Sequence, residues 1–262
     1  MEIGIGLVES LDYEVQFKMF KKLGIKRTFT SSKVSDYERL SKLLKEYDIV
    51  CETIHSPFDH INDMWGDDDE AGEKILNRLK ESVDRCEKYG IPVTIVHVSS
   101  GRPMPEITEI GVKRYEELFD YAKSKGVKVA LENLRYLENL KYFFDRGYDV
   151  GFCWDNGHQY CRGENIDYMG MFSDKLIALH IHDNRAGLDT DDHLLPFDGN
   201  IDFDVVAKAI ADSGYEGTLM LEVFKNSTKG DEKPYESLTE EEYYERAVAS
   251  AKKLLDMIES YR

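Results

Sequence analysis

Residues 177–193, IALHIHDNRAGLDTDDH, begin as an apolar run and end in a crowd of polar groups. Three of the chain's seven histidines (His180, His182, His193) and four aspartates (Asp183, Asp189, Asp191, Asp192) fall within this stretch. With Leu176 the run reads LIALHIH, a short apolar segment followed by a polar, Gly-containing one, which is the pattern of a buried strand. Alternate residues of a strand share a face, so His180 and His182 lie together while Leu179 and Ile181 take the other side.

The same pattern recurs along the whole chain. Seven further apolar runs read as strands: EIGIGLV (2–8), RTFTS (27–31), VCETIHS (50–56), PVTIVHV (92–98), KVALENL (128–134), VGFCWDN (150–156) and TLMLEVF (218–224). Between them lie helical patterns such as DYEVQFKMFKKLG, SDYERLSKLLKEYD, EKILNRLKESVDRCEKYG and RYEELFDYAKSKG, several closed by Gly as helix C-termini commonly are. The last pattern, LTEEEYYERAVASAKKLLDMIESYR, opens on acidic residues and gains bases later, in keeping with the helix dipole. The acidic run DDDE (67–70) precedes a helix and reads as its N-terminal cap. Eight strand–helix alternations predict an α/β chain folded as a single (β/α)8 barrel spanning 1–262. An open doubly wound sheet ranks lower, because GIGLVES is not a GxGxxG turn.

Composition narrows the function. Of 262 residues 42% are hydrophobic, ordinary for a globular chain, and no run has the apolar length of a membrane span. The N-terminus lacks the basic-then-apolar order of a signal peptide. Four cysteines (Cys51, Cys86, Cys153, Cys161) show no CxxC pair and read as reduced thiols in a cytoplasmic protein. The net charge of -17 is the reverse of the basic surface that a nucleic-acid phosphate backbone usually selects, so a small substrate is expected rather than nucleic acid. A homo-oligomer is compatible with this composition.

Histidines and carboxylates gather where strands end. His55 closes the third strand, His97 the fourth, and His180 and His182 the seventh; His158 follows Asp155 of the sixth by three residues. Glu132, Asp155 and Glu222 interrupt the ends of the fifth, sixth and eighth apolar runs. In a barrel these ends meet at one mouth. Burying such carboxylates and imidazoles together without a counter-charge is costly, and a divalent cation removes the cost.

As an ordered set, ALEN (130–133), WDNGH (154–158), HIHDN (180–184), DDHLLPFDGNIDF (191–203) and LEV (221–223) resemble the xylose-isomerase-like barrel superfamily, which contains sugar isomerases and epimerases, inosose-processing enzymes and endonucleases of the endonuclease IV type. The likeness covers nearly the whole chain. It implies one divalent ion (zinc, manganese, magnesium or cobalt) held by Glu132, Asp155, His180 and Glu222, with His158 contacting substrate. The nuclease branch implies additional metal ligands at His55, His97, His158, Asp191 and His193. Phe197 stands where a small Gly is common in the superfamily, which bears on the shape of its loop.

The resemblance leads to an expected metal-dependent isomerase or epimerase of a small sugar or polyol-derived ketone. Glu132 and Glu222 would pass a proton between substrate carbons through an enediolate. His158 and His182 would orient or polarise substrate oxygens; Arg185 reads either as a contact to a substrate hydroxyl or carboxylate or as a solvated loop residue, and Met64 with Trp65 either as an apolar lid over the sugar ring or as packing on a neighbouring helix. Trp154 should pack towards the outer helices. The acidic seventh loop, with no evident phosphate cradle, points to an unphosphorylated substrate. The alternative is a multinuclear zinc phosphodiesterase, and a third reading is a sugar-binding sensor without activity.

Overall fold

The computed structural model describes residues 1–161, 166–185, 190–226 and 233–262. Eight strands form one parallel sheet: β1 (Glu2–Ile5), β2 (Arg27–Ser31), β3 (Val50–His55), β4 (Val93–His97), β5 (Lys128–Glu132), β6 (Gly151–Asp155), β7 (Leu176–His180) and β8 (Thr218–Leu221). Neighbours in sequence are neighbours in space, and β1 pairs with both β2 and β8. The seam between β7 and β8 closes one residue beyond β7. There the Ile181 N–H donates to Met220 O at 2.9 Å, and the Glu222 N–H donates to Ile181 O at 3.0 Å. The result is the expected (β/α)8 barrel.

Helices α1 (Tyr13–Leu23), α2 (Tyr37–Tyr47), α3 (Asp69–Tyr89), α4 (Glu109–Ser124), α5 (Glu138–Asp145), α6 (Asn156–Tyr160), α7 (Tyr168–Phe172), α8 (Phe203–Ser213) and α9 (Glu240–Tyr261) account for the connections. The DDDE run does cap a helix: Asp68 accepts the Ala71 N–H at 3.1 Å, and Asp69 and Glu70 occupy the first turn of α3. Helix α9 opens on a reciprocal cap, Thr239 with Glu242.

Several strands are shorter than the apolar runs suggest. The first ends at Ile5 rather than Val8, and the eighth at Leu221 rather than Phe224. The sixth ends at Asp155, because Asp155 caps α6 by accepting the His158 N–H at 2.6 Å. Hydrophobicity runs on past the ladder, since residues leaving the barrel are still buried beneath the loops.

Alternation sorts the strand side chains into two apolar regions. One, between sheet and helices, includes Val96, Leu131, Phe152, Trp154 and Leu179. Trp154 thus faces outward as expected, its indole N–H donating to Gln159 Oε1 at 2.8 Å. The other fills the barrel interior with Val93, Ile95, Ala130, Cys153 and Ala178. Two residues further along the same inner columns stand His97, Glu132, Asp155 and His180. The apolar plug of the barrel thereby becomes the floor of a polar site. Among the described residues no helix is long and apolar enough to cross a membrane.

Candidate metal centre and active site

Glu132 is the hub. Its side chain is fully buried, and its Oε2 lies 2.9 Å from His97 Nε2 and 3.2 Å from His55 Nε2. Its Oε1 lies 2.9 Å from His180 Nδ1, which is in turn 3.3 Å from Glu222 Oε2. Ligand atoms of Glu132, Asp155, His180 and Glu222 all fall within 4.8 Å of one another, as do those of His55, His97 and Glu132. The two sets share Glu132. A third set joins His182, Asp191 and His193. His158 stands between them, its Nε2 3.7 Å from Asp191 Oδ2 and its Nδ1 3.6 Å from Asp155 Oδ2.

The four-residue set fits a divalent cation. Three carboxylates and one imidazole form a hard, oxygen-rich donor group, and Asp155 Oδ2 is buried without a hydrogen-bond partner. The electrostatics follow from this crowding. Burial pushes the Glu132 carboxyl up, but the imidazoles of His180 and His97 override it and hold the group well below the usual range. Burial also pushes His158 down, yet the carboxylates of Asp155 and Asp191 lift it to about 10. His182 responds likewise to Asp155 and reaches about 9. Asp191, which burial would raise, is held far below its ordinary value by His158, His193 and His182.

Asparagines beside the candidate ligands set their positions. Asn133 donates to Asp155 O at 2.7 Å and accepts the Asp155 N–H at 2.8 Å, tying β5 to β6 where both carboxylates emerge. Asn156 accepts the His182 N–H at 3.0 Å, and Asn184 donates to Gly157 O at 2.9 Å. Gly157 is required by close approach: a Cβ there would lie 1.9 Å from His182 Cε1. These positioning roles were not anticipated, although each asparagine sits in a quoted motif and two directly follow a candidate ligand.

A cavity of about 940 Å³ opens over the site, with His55, His97, His158, Asp191, His193 and Glu222 on its wall. Glu132, Asp155 and His180 lie beneath it, and Phe29 stacks on His180 with ring centroids 4.7 Å apart. His182, expected to orient substrate, instead sets its Nε2 3.2 Å from Asp155 Oδ1 and stacks on His193 at 4.2 Å. Trp65 is not at the cavity. Its indole N–H donates to Val98 O at 2.7 Å, and its ring packs on Tyr115 and Phe143. Met64 is fully buried beside it, so of the two readings it is packing on neighbouring helices, and not the lid, that holds for these two residues. The apolar parts of the wall come from Leu7, Phe29, Leu134, Phe224 and Phe58, whose ring stacks on His97 at 4.7 Å. Arg185 is engaged by Asp192, at 2.5 Å from Nη2 to Oδ1, and is not among the cavity-lining residues. Asp189 of the opening stretch lies outside the described residues.

With fold and site in hand, the relationships of the chain are direct. A profile of the xylose isomerase-like TIM barrel family matches residues 8–254, and the chain belongs to that family. It is 33% identical to the uncharacterized protein y4fM of Sinorhizobium fredii, over 70% of this chain and 61% of that one. The match therefore spans about three fifths of that relative's length. It is 27% identical to the inosose isomerase of Bacillus subtilis, over 74% of this chain and 72% of the other. A probable endonuclease 4 of Mycoplasma capricolum is 25% identical, over 75% and 73%. Among solved structures, D-psicose 3-epimerase of Clostridium cellulolyticum superposes with TM-score 0.80 at 18% identity, over 98% of this chain and 99% of that one. The zinc-bound IOLI protein gives TM-score 0.77 at 20%, over 100% and 99%. At such identities the structural likeness establishes the fold alone.

Proposed function

We propose that the protein is a divalent-metal-dependent enzyme that moves a proton between neighbouring carbons of a small polyhydroxy ketone or aldehyde. The observation that carries this reading is the cluster of Glu132, Asp155, His180 and Glu222 at the base of a cavity large enough for a small sugar. Relatedness to an inosose isomerase supports it. When bound there, the cation would supply a Lewis acid beside the substrate's oxygens.

The protein's own groups divide the remaining work. Glu222 lines the cavity and is the carboxylate we assign to take a proton from substrate carbon. His158 faces the same cavity, where we assign its imidazole to hydrogen-bond a substrate oxygen. Glu132 was expected to share the proton transfer, but its position favours holding the cation: it is fully buried, and imidazoles occupy both its oxygens. One cavity-facing glutamate suits transfer along one face of an enediolate, the geometry of aldose–ketose isomerisation, better than two-sided epimerisation.

The test is metal analysis of freshly purified protein, followed by a solvent-deuterium screen over ketoses, aldoses and inososes. About one ion per chain and deuterium at the carbon next to the carbonyl are expected. Metal-loaded protein that exchanges no proton in any of these compounds would exclude the reading.

A second reading, a multinuclear phosphodiesterase, is favoured by one specific observation. The sets His55–His97–Glu132 and His182–Asp191–His193 provide places for further cations around the first. It predicts about three ions per chain and hydrolysis of bis(p-nitrophenyl) phosphate. The net charge of -17 weighs against a duplex as its substrate.

A further inference from the structure

Among the described residues, one large apolar side chain that is exposed to solvent stands on the cavity wall: Phe58, at 38% exposure. Its ring lies on His97 with centroids 4.7 Å and planes 22° apart, so part of it is already used and the rest is turned to the cavity. His97 Nε2 is in turn 2.9 Å from Glu132 Oε2. The Phe58 ring is therefore one imidazole away from the candidate metal ligands. Ser99 stands beside His97 on the same wall, two residues further along the chain and only 1% exposed. Its hydroxyl makes no hydrogen bond among the described residues. The backbone on either side of it is held: Asn62 donates to Ser100 O at 2.7 Å and accepts the Ser100 N–H at 2.8 Å, and Trp65 donates to Val98 O at 2.7 Å. The loops after β3 and β4 are thus locked together, with the Phe58 ring and the Ser99 hydroxyl presented from the joined pair. Lys33, from the loop after β2, brings its Nζ to 6.0 Å from the Phe58 centroid.

We propose that the substrate is a two-ring compound: a sugar-type carbonyl end at the metal centre, joined to a second pyranose that rests on Phe58 and hydrogen-bonds to Ser99 and Lys33. This deepens the proposed function and rests on its assignment of the cavity as the substrate site. A pyranose offers an apolar face of C–H bonds and a rim of hydroxyls, which match an aromatic ring flanked by a hydroxyl and an ammonium. The locked loops fix both groups before binding, which lowers the entropy cost of using them. Size agrees, because a cavity of about 940 Å³ is near the upper end of the roughly 300–1,000 Å³ that ligand pockets span, well beyond the needs of one hexose. Charged groups of both signs line other parts of the cavity, among them Glu9, Arg102 and Arg135, the last with Nη2 3.7 Å from Asp191 Oδ2. A neutral second ring calls on none of these.

Calorimetric titration of the Mn²⁺-loaded protein tests this, with D-fructose set against isomaltulose, turanose and lactulose, and D-glucose against cellobiose. At least one disaccharide should bind about tenfold more tightly than the monosaccharide that shares its reducing end, the worth of burying one ring face. Phe58→Ala should bring that ratio close to one, Phe58→Tyr should keep it, and Ser99→Ala should lower it severalfold. The ratio is what is read, so a general loss of affinity through the Phe58–His97 contact does not imitate the result. Monosaccharides bound as tightly as every disaccharide, binding of none of the six sugars, or a ratio that survives in Phe58→Ala overturns the proposal. Disaccharide preference without proton exchange would sink the isomerase reading alone, and exchange without disaccharide preference would sink only this one.

Discussion

Asp155 illustrates how much one side chain can be asked to do here. Its Oδ1 caps α6 through the His158 N–H, its backbone is pinned by Asn133, and its Oδ2 remains to face the donor cluster. Glu132 and Glu222 differ in the same detail. Glu132 is sealed among imidazoles, whereas Glu222 reaches the cavity wall. Replacing Glu222 with Gln should leave a folded protein whose proton exchange falls by about 10²- to 10⁴-fold, the usual worth of a positioned base. Replacing Glu132 with Gln should act chiefly on metal content, because it removes a charge from both donor sets that share it. Equal metal occupancy in Glu132→Gln and wild type, measured by elemental analysis, would refute that division of labour. Burial acts on two of the thiols by the same logic. Desolvation pushes Cys86 and Cys153 up to about 12, so neither should be alkylated in native protein at neutral pH; intact-mass measurement after iodoacetamide checks this.

At the scale of elements, the connection from β7 to α8 is held by Asp183. Its carboxylate accepts backbone N–H groups from Asn184, Gly199 and Ile201 at 2.8, 2.8 and 3.0 Å, and its own backbone bridges to Leu194 in both directions. This clamp carries Asp191 and His193 to the cavity. Asp183→Ala should cost about 3 kcal/mol, since three buried donors lose a charged acceptor. It should also open residues 190–200 to limited proteolysis; an unchanged digestion pattern would show that the loop is held by other means. Phe197 belongs to the same connection and adopts φ 74°, a left-handed conformation that favours Gly. Its ring packs on Phe203 at 4.7 Å, and Lys253 Nζ lies 3.7 Å from the ring centroid, so side-chain contacts offset the backbone cost.

For the whole molecule, the candidate metal centre links all the strands that supply it. The four-residue set draws on β5, β6, β7 and the residue just past β8, and His55 and His97 add β3 and β4. A cation binding only the folded barrel should therefore stabilise it globally. Treatment with EDTA is expected to lower Tm by roughly 8 °C relative to protein at a free-metal level about a hundredfold above Kd. Indifference of Tm to chelation would argue against a resident ion.

Much of this molecule can be read along its chain. Alternating apolar runs and helical patterns define eight strands and a parallel barrel, because periodicity is local and each strand reports its own two faces. The polar residues that end the inner columns, Glu132, Asp155 and His180, are visible for the same reason. Which way a loop residue points is not local information. Trp65 follows β3 as a lid residue would, yet it turns into the core and satisfies its indole N–H there, while Phe58 of the same loop reaches the cavity. Arg185 is drawn to Asp192. Sequence by itself determined the barrel and the residue types at its rim, since side-chain alternation is a property of each strand. Only the tertiary structure decided which of those residues share a cavity, because that depends on distances between segments far apart along the chain.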